Sequence, residues 1–555
     1  MPDENLFRKV PVKVPNKSGF DKSFHNLFTG KVGQLIPMVC EEVIPNHSIN
    51  MKIALSTQLP PLATDTFMRV TQRTEAFFVP TRLLMCNYDK WITRNHNYTY
   101  EDSQGAVQNA KICPPVISLE TANCEPGSLV DYLGLMVSDA TAGYAQQSVV
   151  SMSAFPVLAY HLIWDEWYRN SLVQKSCFNT DLDVVGYQPL SGYQLAFMKF
   201  QTPNNATGYI DSGSGPSGSK VWYLADGTDA LALRSRNFPL DYFTSSTPQP
   251  QNGTASAITI NTSGQTTNLS ISAIRSANSL QQFEERNNLA GNRLVDFVRA
   301  QYGANLQDSI AQRPVLLGSA SFDVYSKGIY QTANPSGTNV NNPYDGSVGA
   351  RFGSAYAEGS DFIIKDFTAM EPGYIMVLTS LVPRVTYGSG MKRMLSHYLT
   401  ADSQGDMANP ILQNVGNQPI YSRELNDNAI FGLNNGGSNH VFGYSDRYAE
   451  FKSNQDEIHG LMRDGSSLQA FALQRNWHQA SDIGINTDFL TIPETYMDQI
   501  LAVSQGVSGF SFWTDSYIQC FESMPLSRYS VPTLQDPAYE HGRTIVLDKG
   551  GNKLD

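Results

Sequence analysis

Charge is scarce in this chain of 555 residues. Asp, Glu, Lys and Arg make up 16%, against ~25% in an average soluble protein. Ser, Thr, Asn and Gln take up the difference, alongside 42 Gly, 29 Pro, 27 Tyr and 27 Phe. Such a mixture excludes a coiled coil, a collagen and a mostly disordered chain, and favours short strands, many turns and aromatic packing. Long apolar runs are missing too. The longest, from Ala154 to Tyr160, is interrupted by Pro156, whereas a membrane span needs about 20 residues. Residues 1–17, MPDENLFRKVPVKVPNK, have no apolar h-region, so no secretory signal is expected. The six cysteines (Cys40, Cys86, Cys113, Cys124, Cys177 and Cys520) show neither pairing nor a C-x-x-C. That fits free thiols made in a reducing cytoplasm better than a disulfide framework.

Catalytic signatures are equally absent: no G-x-S-x-G, no H-E-x-x-H, no P-loop and no EF-hand loop. One string, Gly213 to Gly218, fits G-x-G-x-x-G. It lies in a low-complexity loop with Pro216 inside it, not between a strand and a helix, so it does not read as a dinucleotide site. The nine histidines have no metal-ligand spacing, and no metal or other cofactor is expected. Glu41 and Glu42 are neighbours in a strand, so they point to opposite faces and make no acid/base pair. Nothing in the residues asks for an enzyme.

What is present is an uneven charge. The chain carries −12 overall, yet residues 1–31 carry +3, leaving −15 for the rest. Pro2, Pro11 and Pro15 keep residues 1–40 extended. This basic arm on an acidic body suits contact with nucleic acid as well as it suits a solvated terminus. Arg8, Lys9, Lys13 and Lys17 are the candidate DNA contacts. Basic and aromatic residues also interleave at Arg69, Arg73, Phe77 and Phe78, at Arg82, Trp91 and Arg94, and at Arg234, Arg236, Tyr242 and Phe243. Single-stranded nucleic acid is bound by such mixtures, but buried rings beside surface Arg read the same way.

Strands are expected at residues 34–44, 49–55, 67–79, 373–382 and 510–521. A helix at 155–173 is apolar almost all round, with Tyr160, Trp164, Trp167 and Tyr168 adding an aromatic face, so it belongs in a core or in a contact between subunits. A second helical stretch at 270–302 carries more charge, breaks near Gly291 and belongs on a surface or interface. Residues 201–227, 331–359 and 401–439 read as long loops rich in Gly, Asn, Ser and Pro.

Several ordered blocks resemble those of the Microviridae major capsid proteins, gokushovirus-like members included, which build the shells of small icosahedral single-stranded DNA bacteriophages. Glu42-Val43-Ile44-Pro45 and Phe77-Phe78-Val79-Pro80-Thr81-Arg82-Leu83 match the family's N-terminal block. Asp131-Tyr132-Leu133-Gly134 follows, then Leu158-Ala159-Tyr160 with Ile163-Trp164-Asp165-Glu166-Trp167-Tyr168-Arg169. Asp241-Tyr242-Phe243-Thr244-Ser245, Val441-Phe442-Gly443-Tyr444 and Arg447-Tyr448-Ala449-Glu450 continue the order. Asn46-His47 replaces the family's Gly-Asp, and Met85 stands near its usual Trp. Only about 20 residues separate Gln251 from Ile271, where related chains carry a long insertion that forms a threefold protrusion.

The resemblance implies an all-β, eight-stranded antiparallel jelly roll with long insertion loops and a few helices. It implies a basic arm at 1–40, one jelly-roll domain at 41–535 and a tail at 536–555. The chain would assemble with itself, through pentamers, into a T=1 icosahedral capsid around circular single-stranded DNA. Its other partners would be a viral scaffolding protein, minor virion proteins and, through exposed loops, a bacterial surface receptor. It would reside in the virion after assembly in the host cytoplasm. The competing readings are a phage spike or receptor-binding protein that forms no shell, and an all-β carbohydrate-binding protein.

Overall fold

The computed structural model describes residues 10–14, 17–85, 88–92, 97–101, 107–111, 114, 116–120, 124–135, 149–178, 213–214, 220–221, 224, 226, 228–253, 271–291, 293–330, 351–396, 417–432, 440–478, 483–502, 509–526, 543–547 and 553–554. Its centre is one antiparallel sheet. We number the strands β1 (Ser18–Asp21), β2 (Phe24–Gly30), β3 (Ile36–Val43), β4 (His47–Gln58), β5 (Val70–Pro80), β6 (Val315–Tyr330), β7 (Arg351–Ala369), β8 (Gly373–Pro383) and β9 (Phe512–Met524). The neighbour order is β1-β9-β4-β7-β6-β5-β8-β3, with β2 also on β9. β1 pairs with residues 521–524 of β9 and β2 with 512–518, so the two are halves of one edge position. Nine strands thus fill eight positions, and the architecture is an all-β jelly roll of the viral capsid type.

The two edges cannot be far apart. A flat sheet of eight positions would separate β2 from β3 by ~34 Å. The five residues between these strands can reach only about 20 Å. The sheet therefore curls until its edges meet. Asn26 Nδ2 in β2 donates to Met38 O in β3 at 2.8 Å, and Lys22 Nζ meets Glu41 Oε2 at 2.6 Å. The link itself turns at Gly33, whose φ of 77° lies in the left-handed region and whose missing Cβ would sit 2.7 Å from Ile492 Cβ.

Curling gives the sheet an inside. In β4 the alternate residues Ile49, Met51, Ile53 and Leu55 are buried, and their neighbours are more exposed. β5 and β8 are buried on both faces along much of their length. Ala76, Phe78, Ile375 and Val377 enter the inner core, whereas Phe77, Val79, Tyr374 and Met376 enter a second core outside the sheet. That outer core is roofed by α1 (Phe155–Ile163), which continues as a π-helical turn at Trp164–Tyr168. The helix is thus shorter than the expected 155–173, since Arg169 is already extended.

All five expected strands are present. β6 and β7 were not expected, and residues 351–359 form the first half of β7 instead of a loop. Within 401–439, the described residues include a short strand, Gln418–Tyr421, and a helical turn, Asp427–Ile430. Residues 331–350 and 401–416, and most of 201–227, lie outside the described residues. The second helical stretch divides as expected at Gly291 into α2 (Ile271–Ala290) and α3 (Leu294–Tyr302). At the β3–β4 turn, Asn46 has φ 65°. Asn tolerates that conformation better than most side chains, which explains how it stands where the resembled pattern has Gly.

The closed seam holds a buried charge cluster. Glu522 of β9 is buried; its Oε2 lies 3.0 Å from His47 Nε2 and 3.2 Å from Lys22 Nζ. Burial alone would raise its pKa, but hydrogen bonds with His47, Glu41 and Cys520 and the Lys22 charge bring it down to about 2. Glu41 is pushed up, by burial first and then by the Glu522 carboxyl beside it.

The seam sets three expected outcomes. Gly33→Ala, which adds a Cβ at positive φ against Ile492, should destabilise the subunit by at least about 1 kcal/mol in denaturant unfolding. Glu522 is a carboxylate with a depressed folded pKa, so its stabilisation is present above the ordinary value of ~4.3 and is lost as pH falls through about 2. Glu522→Gln should therefore melt below wild type at pH 7, with the gap narrowing below pH 4. Glu41→Gln should cost less at pH 7, because the ionised Glu41 is disfavoured in the fold.

Candidate assembly and nucleic-acid contact sites

The aromatic helix was one candidate. Pro156 in its first turn costs no hydrogen bond, because the N–H groups there have no intrahelical partner. Tyr160 is fully buried; its hydroxyl donates to Leu35 O and accepts from Arg234 N, both at 2.8 Å. In the π-helical turn, Trp164 Nε1 donates to Ser235 O at 3.2 Å and Trp167 Nε1 to Pro314 O at 3.0 Å. Tyr168 donates to Glu75 of β5. Each of these three rings also carries a guanidinium: Arg234 lies 4.4 Å from the Trp164 ring, Arg313 4.4 Å from Trp167, and Arg236 5.0 Å from Tyr168. All four aromatic side chains are thus engaged within their own subunit.

Arg69, Arg82, Arg234 and Arg236 among the interleaved basic residues are engaged as well. Arg236 grips Glu75 through two bonds of 2.9 and 3.0 Å, Arg82 meets Glu371 at 2.6 Å, and Arg69 meets Asp456 at 3.2 Å. Phe77, Phe78, Tyr242 and Phe243 are core residues. Where the rings are packed and the cations paired, as at Arg236, little is left to stack on bases or track phosphates; Arg73 of β5, by contrast, is exposed. Trp91 rests partly buried on the outer core, and Arg94 lies outside the described residues.

Behind the aromatic roof, Arg234 and Asp226 form an ion pair of 2.6 Å, each side chain under a tenth exposed. His161, fully buried, lies between this pair and the backbone. Its Nε2 donates to Ala230 O at 2.7 Å, and its Nδ1 accepts from Arg234 Nε at 3.2 Å. A second ring proton would face the guanidinium. Burial, with the Arg234 charge, accordingly lowers the His161 pKa to about 3. No sequence signal marked this residue, because its environment is assembled from segments about 70 residues apart.

Among the proposed DNA contacts, Lys17 is exposed and donates to Ser48 Oγ at 2.8 Å. Lys13 lies in a strand, Val10–Val14, that pairs with Arg543–Leu547 near the C-terminus. Arg8 and Lys9 lie outside the described residues. Gly213 and Ser214 pair with Val221 and Lys220 as a short antiparallel hairpin, which is no strand-to-helix phosphate loop. At the seam, Glu41, Cys520 and Glu522 bring three potential ligand atoms within 4.8 Å of one another. The Lys22 ammonium already supplies a positive charge to both carboxylates there.

A histidine held neutral by the fold makes stability rise with pH between its folded and unfolded pKa values, since only the unfolded chain binds the proton. Wild type should lose stability from about pH 6.5 down towards pH 3, His161 contributing up to ~1.4 kcal/mol per pH unit. His161→Gln should flatten that slope by up to one proton, as read from unfolding midpoints across pH 4–7.

No helix among the described residues is long and apolar enough to cross a membrane. Comparison with known proteins places this architecture. The family model described as Capsid protein (F protein) matches residues 9–265 and 262–534. The chain is 26% identical to Capsid protein VP1 of Chlamydia phage 1, covering 96% of this chain and 98% of the relative. It is 23% identical to Capsid protein VP1 of Bdellovibrio phage phiMH2K, covering 83% and 85%, and 22% identical to that of Spiroplasma virus 4, covering 91% and 93%. With the curled antiparallel sheet and a family match across nearly its whole length, the chain belongs to the F-protein capsid family of the Microviridae, as a major capsid protein of structural role.

Proposed function

We propose that this capsid protein assembles, through pentamers, into a T=1 icosahedral shell around circular single-stranded DNA. The observation that carries this reading is the capsid-family match over residues 9–265 and 262–534, which embraces every strand of the curled sheet. Closed symmetry then supplies the repeated contacts that a long chain with exposed helices needs. The spike and carbohydrate-binding readings lack such support.

The division of labour we infer is an arm at 1–40, a jelly-roll domain at 41–535 and a tail at 536–555. Arg8, Lys9, Lys13 and Lys17 would meet the packaged DNA from a segment of net +3 on an otherwise acidic chain. A scaffolding protein and minor virion proteins would assist assembly in the host cytoplasm. Loops in 201–227, 331–359 (its last nine residues being the start of β7) and 401–439 would face a bacterial receptor from the virion surface.

Co-expression with the neighbouring viral genes should yield uniform closed spheres in negative-stain electron microscopy. Small oligomers alone, even with those partners, would overturn the shell. Replacing Arg8, Lys9, Lys13 and Lys17 together by Ala should leave sphere formation intact and lower the nucleic acid retained, measured as the 260/280 nm absorbance ratio of purified particles.

A further inference from the structure

The strand Val10–Val14 pairs along its whole length with Arg543–Leu547, from Val10 opposite Leu547 to Val14 opposite Arg543. Val546 and Leu547 pair in turn with Leu554 and Lys553. These three strands form a sheet of their own, separate from the curled one. Its composition is one-sided. The strands VPVKV, RTIVL and KL include Lys13, Arg543 and Lys553, and no Asp or Glu. Three cations in twelve residues is a quarter, whereas Lys and Arg together number 39 in the 555 of the whole chain. In residues 1–17 and 543–555 the acidic residues, Asp3, Glu4, Asp548 and Asp555, all lie outside the strands. Even with them, seven Lys and Arg stand against four Asp and Glu there, on a chain of net charge −12.

We propose that this small sheet binds the phosphates of the packaged single-stranded DNA, with Arg543 and Lys553 joining Lys13 as contacts. The inference rests on the coat reading above and extends its DNA site from the arm to the tail. Charge selects the occupant. Several arginines of the body are already spent on carboxylates: Arg234 on Asp226, Arg236 on Glu75 and Arg313 on Asp308. A body of net negative charge repels a polyanion, so contact needs a local surface on which cations outnumber acids. The small sheet is such a surface. DNA carries a negative charge at every nucleotide, a density that a neighbouring subunit does not match, because its 51 acidic residues are scattered among 39 basic ones. The strands hold no aromatic residue, so contact runs through phosphates and without preference for the base. Strand pairing also holds Lys13 one position from Arg543 across the ladder, which reduces the ordering cost of binding compared with a free arm.

The test measures binding of fluorescent oligo(dT) to full-length subunits by anisotropy across a salt series. Each phosphate contact on a single strand contributes about 0.7 to the slope of log K against log salt. Arg543→Gln/Lys553→Gln should therefore flatten the slope by about 1.4, and particles of this variant should retain less nucleic acid. Backbone pairing needs neither side chain, so the melting curve should stay that of wild type. Arg543→Lys/Lys553→Arg, which keeps both charges, should keep the slope. The wild-type chain supplies a check that no substitution touches. A phosphate beside the Lys553 ammonium keeps it protonated, so acetic anhydride should label Lys553 about fivefold more slowly in DNA-filled than in emptied particles. An unchanged slope in the Gln variant, a flattened slope in the charge-keeping variant, or equal labelling of Lys553 in filled and emptied particles would each overturn the proposal and leave the coat reading intact. Wild-type chains that form no closed particles would overturn the coat reading instead, while the oligo(dT) slopes still decide whether the sheet binds single strands.

Discussion

Five residues govern this fold. The link between β2 and β3 is too short to span a flat sheet of eight positions, so the sheet has to curl and its edges have to meet. Everything that stabilises the interior follows from that closure. It creates an inner core from the alternate residues of β4 and β9, and it sets the two sheet edges side by side, joined by side-chain contacts such as Asn26 Nδ2 to Met38 O. It also brings Glu41 of β3 to Lys22 and Glu522, which with His47 already sit side by side on or next to the paired strands β9 and β4. Buried carboxylates are costly when unpaired. Here an ammonium and an imidazole offset that cost, so the charges act as a polarity lock on a seam that apolar packing alone would leave free to slide.

The outer core has a different logic. β5 from Ala76 to Val79 and β8 from Tyr374 to Leu378 are apolar on both faces, so the second face needs a cover. α1 and its π-helical turn provide it. The turn's extra residue per repeat directs Trp164, Trp167 and Tyr168 against backbone carbonyls and Glu75, while Arg234, Arg236 and Arg313 stack on their rings. The guanidiniums in turn are held by Asp226, Glu75 and Asp308. A shell subunit bears load from several neighbours at once, and a sheet backed by a second core deforms less than a one-sided one. The α2–α3 unit contrasts with this: it is held to the body by polar contacts such as Asn288 to Thr247 and Gln249.

Much of this was legible in the sequence. Alternation in INMKIALS marked β4, the apolar run YIMVL marked β8, and Gly291 marked the break between α2 and α3. The ordered motif blocks pointed to the capsid family, and the chain-long family match agrees. Local patterns of this kind survive in sequence because each depends on neighbours in the chain.

β6 and β7 escaped for a physical reason. Their neighbours approach so closely that a Cβ at Gly318 would lie 2.2 Å from Ile363 O, and one at Gly359 2.4 Å from the Phe322 ring. Glycine is required there, and glycine weakens any strand pattern. Composition also could not tell a phosphate-binding Arg from one held by a distant carboxylate, as with Arg236 and Glu75, 161 residues apart. The sequence by itself determined the β-rich class, the apolar helix and the family. Only the tertiary structure decided which aromatics are buried and which charges are paired, because burial and pairing are properties of segments far apart in the chain.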